Sequence, residues 1–554
     1  MTTTSTLNMD LFLQAKKALQ TALKADDYCL TIPNNASMGD ISSTIAFTLK
    51  GNPKENAEKI AKKIKSTSLI KEVKAIGPYI NFFFDKDKIA NKIVTDSLKK
   101  TIKTTAKKNI ISLDIYGPNA LKGIHVGHIR NASLGACLSR ILDAAGYKVI
   151  TNSFGCDIGL PAAKVIWGYM NLGLKPEGEK GEWLGMIYSI VNSEFNDKPK
   201  VREEVYDINK RLYENDERLM VIYNTLIGWS KDYVKKVEKQ LRLKIDKYLW
   251  ESDTIKSANS AVELLKEKGI AKESDGAIAV DLKEYNLGVY VLLTRQGVPT
   301  YEAKDIGLQL MKEKLFKADK YILFTGAEQV MHFNQLFKTF ELMGYKKGKM
   351  IHKPYEMVDI QGKKISSREG NVILFNQLID ELTNAALIEV TRKNPSLSFE
   401  DKKTIAGEIA ISSLLYGMIK QDMNKKINFV ISDWVRFDGD TGAYIQYNYV
   451  RARKILTMGG TPKENVVITD ETEYALLKKI NEFNKVIEES AEKFNPSAIA
   501  HYAYELSSAF SKFYEKCPVL KDEVNQSRLL IVKSFSETIL KTMKIMGFTP
   551  LKEM

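Results

Sequence analysis

The stretch IISLDIYGPNALKGIHVGHIRNASLGACLSRILDAAGYKVITNSF, residues 110–154, decides the fold of this chain. It begins with an apolar run typical of a buried strand, passes through a loop into a long helical pattern, and ends in a second strand-like run. Strand, helix and strand in this order make a βαβ unit, the building block of a doubly wound parallel sheet. The stretch therefore predicts an α/β fold of the Rossmann type.

The residues on either side of this unit predict three domains. Residues 1–105 combine two amphipathic helix patterns, MDLFLQAKKALQTALKA and ENAEKIAKKIKSTSLIKEV, with a strand-like AIGPYINFFF, which predicts a small α/β domain. Residues 106–375 hold the parallel sheet, interrupted by a helical insertion at about 165–270. Strand patterns return at GAIAVDL, VYVLLTR and KYILFTG. Residues 376–554 are almost entirely amphipathic helix patterns, which predicts a C-terminal all-helical domain.

Length and composition exclude several classes of protein. Of the 554 residues, 44% are hydrophobic and 27% charged, a globular composition that excludes a wholly disordered chain. No run approaches the ~20 apolar residues of a membrane span, and no secretory signal opens the chain, so we expect a cytoplasmic protein without membrane contact. No C-x-x-C pair occurs, which argues against a disulfide scaffold or a cysteine-based zinc site. The four cysteines are Cys29, Cys137, Cys156 and Cys517.

The charge balance points weakly to a partner. The chain has 82 Lys and Arg against 68 Asp and Glu, a net charge of +14. Such an excess suits a polyanion, because basic side chains neutralise phosphates and release counterions. A lysine-rich composition without a nucleic-acid partner would give the same excess, so charge alone leaves both possibilities open.

Two histidines fall within four residues at the start of the helix pattern. His125 and His128 belong to the tetrapeptide H-V-G-H, directly after the loop that follows the first strand. Free N–H groups and the positive dipole end of a helix suit phosphate there, and imidazole donors would add to them. Gly127 would leave room for a flat base to approach the main chain. Taken by itself, the tetrapeptide is equally consistent with an ordinary turn.

A second candidate segment is K-I-S-S-R, inside DIQGKKISSREGNVI. Lys364 lies there with two hydroxyls, Ser366 and Ser367, in a loop flanked by glycines. A cation on a mobile loop can move onto a polyphosphate and stabilise charge as pyrophosphate departs. Alone, such a segment is more often a solvated loop without a function.

Together, and in this order, the two segments resemble the H-I-G-H and K-M-S-K-S signatures of class I aminoacyl-tRNA synthetases. The surroundings PNALKGIHVGHIRNASLGACLSRILDAAGYKV, GDISSTIA, GPYINFFF, DGDTGAYIQYNYVRARKIL and YELSSAFSKFYEKCPVL resemble the arginyl-tRNA synthetase family over nearly the whole chain. The resemblance implies that ATP with Mg²⁺ activates L-arginine and that the arginyl group passes to the terminal adenosine of tRNA(Arg), in a monomer. It implies that residues 106–375 form the catalytic domain. The implied catalytic residues are His125, His128 and Lys364, joined at the ATP site by Gly127, Ser366 and Ser367.

An arginine pocket needs a carboxylate, because a guanidinium is a planar fork of donors that keeps its charge. The segment TYEAKDIG resembles the family's Y-x-x-x-D helix and implies that Asp305 pairs with the guanidinium beside Tyr301, four residues earlier on the same helix face. The family's spacing further implies contacts from Asp114, Asn119 and Gln329. For His332, in GAEQVMHFNQLF, a place near the ATP site and a purely structural role both stay open.

The chain departs from the family at three places. Asp114 stands where a glutamate is usual, Cys156-Asp157-Ile158-Gly159 replaces an Asp-Trp-Gly run, and Arg295-Gln296-Gly297 replaces a Ser-Asp-Gly run. These differences affect local contacts of the pocket and leave both signatures intact.

Two further groups of residues are predicted to contact tRNA. Aromatic and basic side chains interleaved on a helix suit unstacked bases and phosphates, although such a stripe is more often core packing. These residues are Tyr444, Gln446, Tyr447 and Arg451. In the N-terminal domain, Tyr79 and Asn81 lie on an aromatic strand, where Asn81 either reads a loop base, as the family implies, or holds an edge strand.

Two alternatives remain at the level of sequence. The first is a non-catalytic or regulatory tRNA-binding protein that kept the synthetase fold, against which the intact nucleotide signatures argue. The second is a class I synthetase for another amino acid. A cysteinyl enzyme would need clustered Cys and His for zinc, and an editing enzyme would need a large inserted domain of strands rather than helices.

Overall fold

The structure is a computed structural model that describes residues 6–25, 27–33, 35–65, 67, 69–99, 106–360, 363–364, 373–463 and 465–554. Ser366 and Ser367 lie outside the described residues, and only the main chain of Lys364 is described.

The N-terminal region is a small α/β unit around a four-stranded antiparallel sheet with the strand order β1-β2-β4-β3. The predicted strand 75–84 is in fact parts of two strands, because the chain turns at Gly77 (φ 60°) and doubles back. The second predicted helix ends earlier than expected, at Lys63, and residues 70–73 belong to a strand. The elements are α1 (Thr6–Ala22), β1 (Leu30–Thr31), β2 (Ile41–Ser43), α2 (Pro53–Lys63), β3 (Ile70–Ile76), β4 (Tyr79–Phe84) and α3 (Lys86–Ser97).

The predicted βαβ unit is confirmed and begins the central sheet. Strand β5 (Ile110–Tyr116), helix α4 (Val126–Ala144) and strand β6 (Lys148–Gly155) follow one another, and the two strands pair in parallel. Strand β5 has four buried apolar residues, as expected of a strand covered on both faces. Thirteen of the nineteen residues of α4 are buried too, because helices of the C-terminal region cover its other side.

A helical insertion follows β6 and has an apolar core of its own. Its helices are α5 (Leu160–Asn171), α6 (Lys180–Asp197), α7 (Pro199–Tyr213) and α8 (Glu217–Gln240). The predicted insertion, 165–270, was too long, because the chain rejoins the sheet at β7 (Lys247–Trp250) before α9 (Ile255–Glu267). The ring of Trp250 packs on Gly155, where a β-carbon would lie 2.4 Å from the ring.

A three-stranded antiparallel sheet comes next, formed by β8 (Ala271–Ser274), β9 (Ala277–Asp281) and β10 (Val289–Leu293). The two strands predicted from GAIAVDL and VYVLLTR are therefore confirmed as strands, β9 and β10, but they lie outside the parallel sheet. The connection between β9 and β10 is too short for the crossover that parallel pairing requires.

The chain then completes the parallel sheet through α10 (Tyr301–Phe316), β11 (Lys320–Gly326), α11 (Val330–Leu342) and β12 (Met350–Tyr355). The five strands are ordered β12-β11-β5-β6-β7 and all their pairs are parallel. The chain thus runs from β5 outward to β7 on one side and from β11 outward to β12 on the other. This is the predicted Rossmann-type sheet.

The rest of the chain is predominantly helical, as predicted, apart from one small sheet. In that sheet β13 (Val358–Ile360) pairs antiparallel with β14 (Lys363–Lys364) and parallel with β15 (Ile427–Phe429). None of the described helices is long and apolar enough to cross a membrane. The helices are α12 (Phe375–Lys393), α13 (Phe399–Lys420), α14 (Ile431–Trp434), α15 (Gly442–Gly459), α16 (Glu471–Asn481), α17 (Phe483–Lys493), α18 (Ser497–Lys516) and α19 (Gln526–Met546).

Candidate active site

A cleft of about 530 Å³ opens at the carboxyl ends of β5 and β11. These neighbouring strands carry the chain away in opposite directions, and ligands of open α/β sheets bind at such a switch point. The cleft brings together seven residues that the sequence predicted for the active site. They are Asp114, His125, Gly127, His128, Tyr301, Asp305 and Gln329.

The two histidines are held in a defined orientation by the first turn of α4. His125 is the N-cap residue, and its Nδ1 accepts a hydrogen bond from the N–H of Gly127 at 3.2 Å. The Nδ1 of His128 accepts from the N–H of His125 at 3.3 Å, and the two ring centroids lie 3.9 Å apart. Because both Nδ1 atoms accept, these bonds assign the proton of each neutral ring to Nε2. Each ring therefore has an Nε2–H group to donate to a ligand.

Both imidazoles are uncharged near neutral pH. Burial, reinforced by the Lys122 ammonium, lowers the pKa of His125 to about 4. Burial lowers the pKa of His128 well below its usual value, with further contributions from His125 and Lys122. The pair thus offers hydrogen-bond donors to an anion without permanent charge.

Gly127 has a steric role that the sequence did not reveal. A β-carbon at this position would lie 3.1 Å from Cε1 and 3.2 Å from Nδ1 of His125. The missing side chain therefore makes room for the His125 ring, and the approach of a base to this main chain stays a prediction.

The segment of Lys364, Ser366 and Ser367 is attached beside the cleft at both ends. The main chain of Lys364 pairs with Asp359 in β13, which follows the cleft residue Met357. At the other end, the main chain of Leu374 forms an antiparallel bridge with His125. Lys364 and Leu374, described residues on either side of 365–372, therefore both form main-chain contacts beside the site that holds the histidine pair.

Asp305 lies on α10 and faces the cleft. One of its carboxylate oxygens is 2.6 Å from Nε2 of the buried His332, and the ring of His332 contacts that of Tyr301 with centroids 4.7 Å apart. Tyr301 is the first residue of α10 and is 59% exposed, so it lies at the mouth of the cleft. His332 thus holds Asp305, the carboxylate predicted to bind arginine, while the Tyr301 ring covers the ring of His332.

Asp114, at the end of β5, is tied to two side chains. It pairs with the Lys312 ammonium, whose side chain is 1% exposed, and it accepts from Asn152 Nδ2 at 3.3 Å. Asn119, by contrast, lies in the loop beyond β5, where it forms a bridge with Cys156 and its side-chain oxygen accepts from the N–H of Leu121.

Sequence reasoning missed four charged residues of the cleft, one of which, Glu328, lies in the turn after β11. Lys312 and Lys304 lie on α10, and Glu251 follows β7. The Lys304 ammonium donates to Glu251 at 2.7 Å and to the hydroxyl of Tyr213 at 3.0 Å. The spacing of Lys312, seven residues after Asp305, would have placed both on one helix face. No sequence pattern pointed to Glu251, because β7, which precedes it, was not recognised as a strand within a region of helix patterns.

The predicted anticodon-side residues divide into a partly exposed group and a buried one. Arg451 donates to the Tyr447 hydroxyl at 2.8 Å and lies over the rings of Tyr447 and Tyr514, and Tyr514 is 43% exposed. Gln446 is completely buried, and its amide donates to the carbonyl of Thr549 and accepts from the N–H of Leu551. Burial leaves Gln446 no surface to offer a tRNA.

Tyr444 and the two N-terminal residues complete the predicted set. The hydroxyl of Tyr444 is 2.8 Å from Ser511 Oγ. Tyr79 is 38% exposed and packs edge-on against Phe47, which is also exposed. Asn81 is fully buried in β4, which lies between β2 and β3, so the predicted edge strand is wrong. That Asn81 reads a loop base stays a prediction.

The fold and cleft define a class I aminoacyl-tRNA synthetase, and comparison with family models agrees. Residues 88–434 match tRNA synthetases class I (R), catalytic domain; residues 445–554 match the DALR anticodon binding domain; residues 11–84 match the arginyl tRNA synthetase N terminal domain.

Comparison with known proteins gives the same result over the full length. An arginine–tRNA ligase of Bdellovibrio bacteriovorus is 30% identical, covering 95% of this chain and 94% of its own. One from Pediococcus pentosaceus is 29% identical over 95% of both chains. The solved arginyl-tRNA synthetase of Thermus thermophilus shares the fold with a TM-score of 0.76 at 22% identity, covering 99% of this chain and all of that one. The chain belongs to the arginine–tRNA ligase family.

Proposed function

We propose that this chain activates L-arginine with ATP and transfers it to the 3′-terminal adenosine of tRNA(Arg), with the cleft between β5 and β11 as its active site. The observation that carries this proposal is that a pair of neutral imidazole donors and the Asp305 carboxylate line one cavity. Hydrogen-bond donors for a phosphate group lie beside a carboxylate that can bind a cation. This arrangement suits a cationic amino acid that must react with the α-phosphate of ATP.

In the activation step the arginine carboxylate attacks the α-phosphate in line, giving arginyl-adenylate and pyrophosphate. No covalent intermediate with the protein is needed, so positioning and charge stabilisation account for catalysis. The Nε2–H groups of His125 and His128 donate to phosphate oxygens, and Gly127 lets the His125 ring take its place. Lys364, with Ser366 and Ser367, stabilises the departing pyrophosphate.

Arginine recognition rests on Asp305, which receives the guanidinium while His332 orients its carboxylate. Tyr301 covers the side chain at the mouth of the cleft, and Gln329 contacts the amino acid from the loop after β11. Asp114 receives the α-ammonium group of arginine. Asn119 supports the loop that follows β5.

For tRNA we propose two contact surfaces. Tyr447 and Arg451, with Tyr444 beside them, face the anticodon end, because stacked aromatic and guanidinium groups suit unstacked bases. Tyr79 contacts tRNA from the N-terminal domain. Gln446 and Asn81 are both buried, and Gln446 holds the C-terminal segment through Thr549 and Leu551 rather than contacting tRNA.

The remaining proposals concern the setting of the reaction. Mg²⁺ enters with the ATP phosphates, consistent with the described residues, where no three His, Cys, Asp or Glu side chains are grouped to hold a metal ion. The enzyme acts as a monomer in the cytoplasm, and its domains divide near residues 105 and 375.

The experiment that tests the proposed function is ATP–pyrophosphate exchange with each of the twenty amino acids, with and without total tRNA. We expect exchange with arginine alone, and mainly with tRNA present. Asp305→Asn removes the guanidinium charge partner and should raise KM for arginine at least 100-fold, with little effect on KM for ATP. An enzyme that activates another amino acid, or an Asp305→Asn variant with unchanged KM for arginine, would contradict the proposal.

A further inference from the structure

Four acidic side chains line the cleft, Glu328 among them, and the other three have partners of two kinds. Asp114 pairs with the Lys312 ammonium and Glu251 pairs with the Lys304 ammonium, so each of these carboxylates faces a cation. Asp305 pairs instead with the His332 imidazole, which carries charge only when it is protonated. Among these three, Asp305 is therefore the carboxylate whose negative charge is least compensated.

The Lys312–Asp114 pair is the most deeply placed of these contacts. The Lys312 side chain is 1% exposed and that of Asp114 is 17% exposed, so water screens their interaction little. A buried ammonium is costly without its counter-charge, and removing either partner leaves the other uncompensated. Each member of the pair thus fixes the position and the effective charge of the other.

Lys312 and Asp305 lie on one face of helix α10. Asp305, Leu308 and Lys312 all line the cleft. Seven residues at about 1.5 Å per residue separate Asp305 from Lys312 by roughly 10 Å along the helix axis. The cleft therefore has a net negative end at Asp305 and a compensated end at Asp114.

Arginine carries two cationic groups, and either is attracted to a free carboxylate. We propose that Lys312 is a positioning residue that sets the orientation of arginine: by compensating Asp114, it leaves Asp305 as the preferred partner of the guanidinium. The α-ammonium then takes the weaker site at Asp114, beside which the α-carboxylate faces the histidine pair. This inference rests on the proposed function and adds to it the group that distinguishes the two ends of the substrate.

A suitable probe is agmatine, which is arginine without its carboxyl group and so has two cationic ends and no anionic one. In Lys312→Met, Asp114 becomes a free carboxylate that attracts the amine of agmatine but also repels the carboxylate of arginine. We expect the ratio of agmatine affinity to arginine affinity, measured by calorimetry at pH 8, to rise about tenfold. General damage to the cleft would weaken both ligands and leave this ratio unchanged.

Three further variants complete the experiment. Lys312→Arg keeps the charge and should keep the wild-type ratio. Asp114→Asn leaves the ammonium uncompensated and should lower the ratio about tenfold, and Lys312→Met/Asp114→Asn, which has no buried charge in need of a partner, should bring it back within threefold of wild type. An unchanged ratio in both single variants, or a double variant that keeps the Lys312→Met ratio, would overturn the inference. If the wild-type protein binds no arginine at all, the proposed function itself fails.

Discussion

The main chain of Leu374 forms an antiparallel bridge with that of His125. The next residue continues the contact, because the N–H of Phe375 donates to the carbonyl of Ile124 at 2.9 Å. The chain at Leu374 and Phe375 is thus bonded to the N-cap of the helix that carries both imidazoles and to the residue before it. Residues that follow the second signature therefore contact the main chain of the first signature, although the two lie far apart in sequence.

This contact predicts the effect of a small substitution. A β-carbon at Gly123 would lie 2.5 Å from Cδ2 of Leu374, so Gly123→Ala should displace Leu374 and the segment it ends. We expect ATP–pyrophosphate exchange to fall about tenfold. The matched control is Gly228→Ala on α8, where a β-carbon meets nothing within 4 Å and alanine favours the helix. Equal activity of the two variants would show that the Leu374 contact does not position the loop.

The depressed pKa of His125 predicts a pH dependence of stability. The folded-state pKa is about 4, whereas an unfolded histidine titrates near its usual 6.5, so between these values the unfolded chain binds more protons. Stability contributed by this ring is therefore present above pH 6.5 and is lost as the pH falls toward 4. Between pH 7 and 5 the wild type should lose on the order of 1–2 kcal/mol more than His125→Asn, measured by urea unfolding. His501→Asn, which changes an exposed histidine on α18, should behave as wild type; identical curves for all three proteins would contradict the prediction.

A buried guanidinium joins the helix of the histidines to the residues that precede β13 and β15. Arg130 is completely buried on α4 and donates to four main-chain carbonyls, those of Glu356, Met357, Asp422 and Lys425. Burial lowers its pKa to about 10, and the nearby Tyr355, Glu356 and Asp422 oppose that shift. The residue thus fixes the start of β13 and the loop before β15 against α4.

Arg130→Lys keeps the charge but cannot reach four acceptors, because an ammonium lacks the planar fork of donors. We expect a loss of about 2–4 kcal/mol in the free energy of unfolding and a larger loss of exchange activity than the destabilisation explains. Arg392→Lys, at an exposed pair with Glu389, should change stability by less than about 0.5 kcal/mol. Full activity in a folded Arg130→Lys variant would show that the base of the loop does not depend on this residue.

The parts of the fold that sequence predicted are those where local pattern and tertiary environment agree. Strand β5 and helix α4 have long, unambiguous patterns, and the histidine pair sits at their junction. Strand β7 was missed because it has four residues and lies between long helices, and its position at the sheet edge is set by pairing with β6. The strands of a hairpin and those of a parallel pair have similar sequence patterns. The sequence therefore predicted β9 and β10 as strands but not that they pair antiparallel.

For the candidate site, sequence supplied the residues that face a ligand but not those that hold them. Asp305 stands in a motif, whereas its partner His332 is joined to it only by packing of α10 against α11. In the sequence Lys312 is one of many lysines in helix patterns, and only the fold shows that Asp114 of β5 lies next to it. Gln446 shows the converse, since an aromatic and polar stripe carries no sign of which members point inward.

Replacing either of two residues of α15, Gln446 or Arg451, should therefore have a different effect on stability and on tRNA binding. Gln446 holds the C-terminal segment through Thr549 and Leu551, so Gln446→Leu should lower the free energy of unfolding by about 1–3 kcal/mol and leave tRNA affinity per folded molecule unchanged. Arg451 lies on the aromatic face, so Arg451→Gln should raise KM for tRNA about tenfold with stability within about 0.5 kcal/mol of wild type. Urea unfolding and aminoacylation at varied tRNA concentration separate the two effects. A Gln446→Leu variant that is stable but binds tRNA poorly would mean that the conformation of α15 changes on binding and exposes this amide.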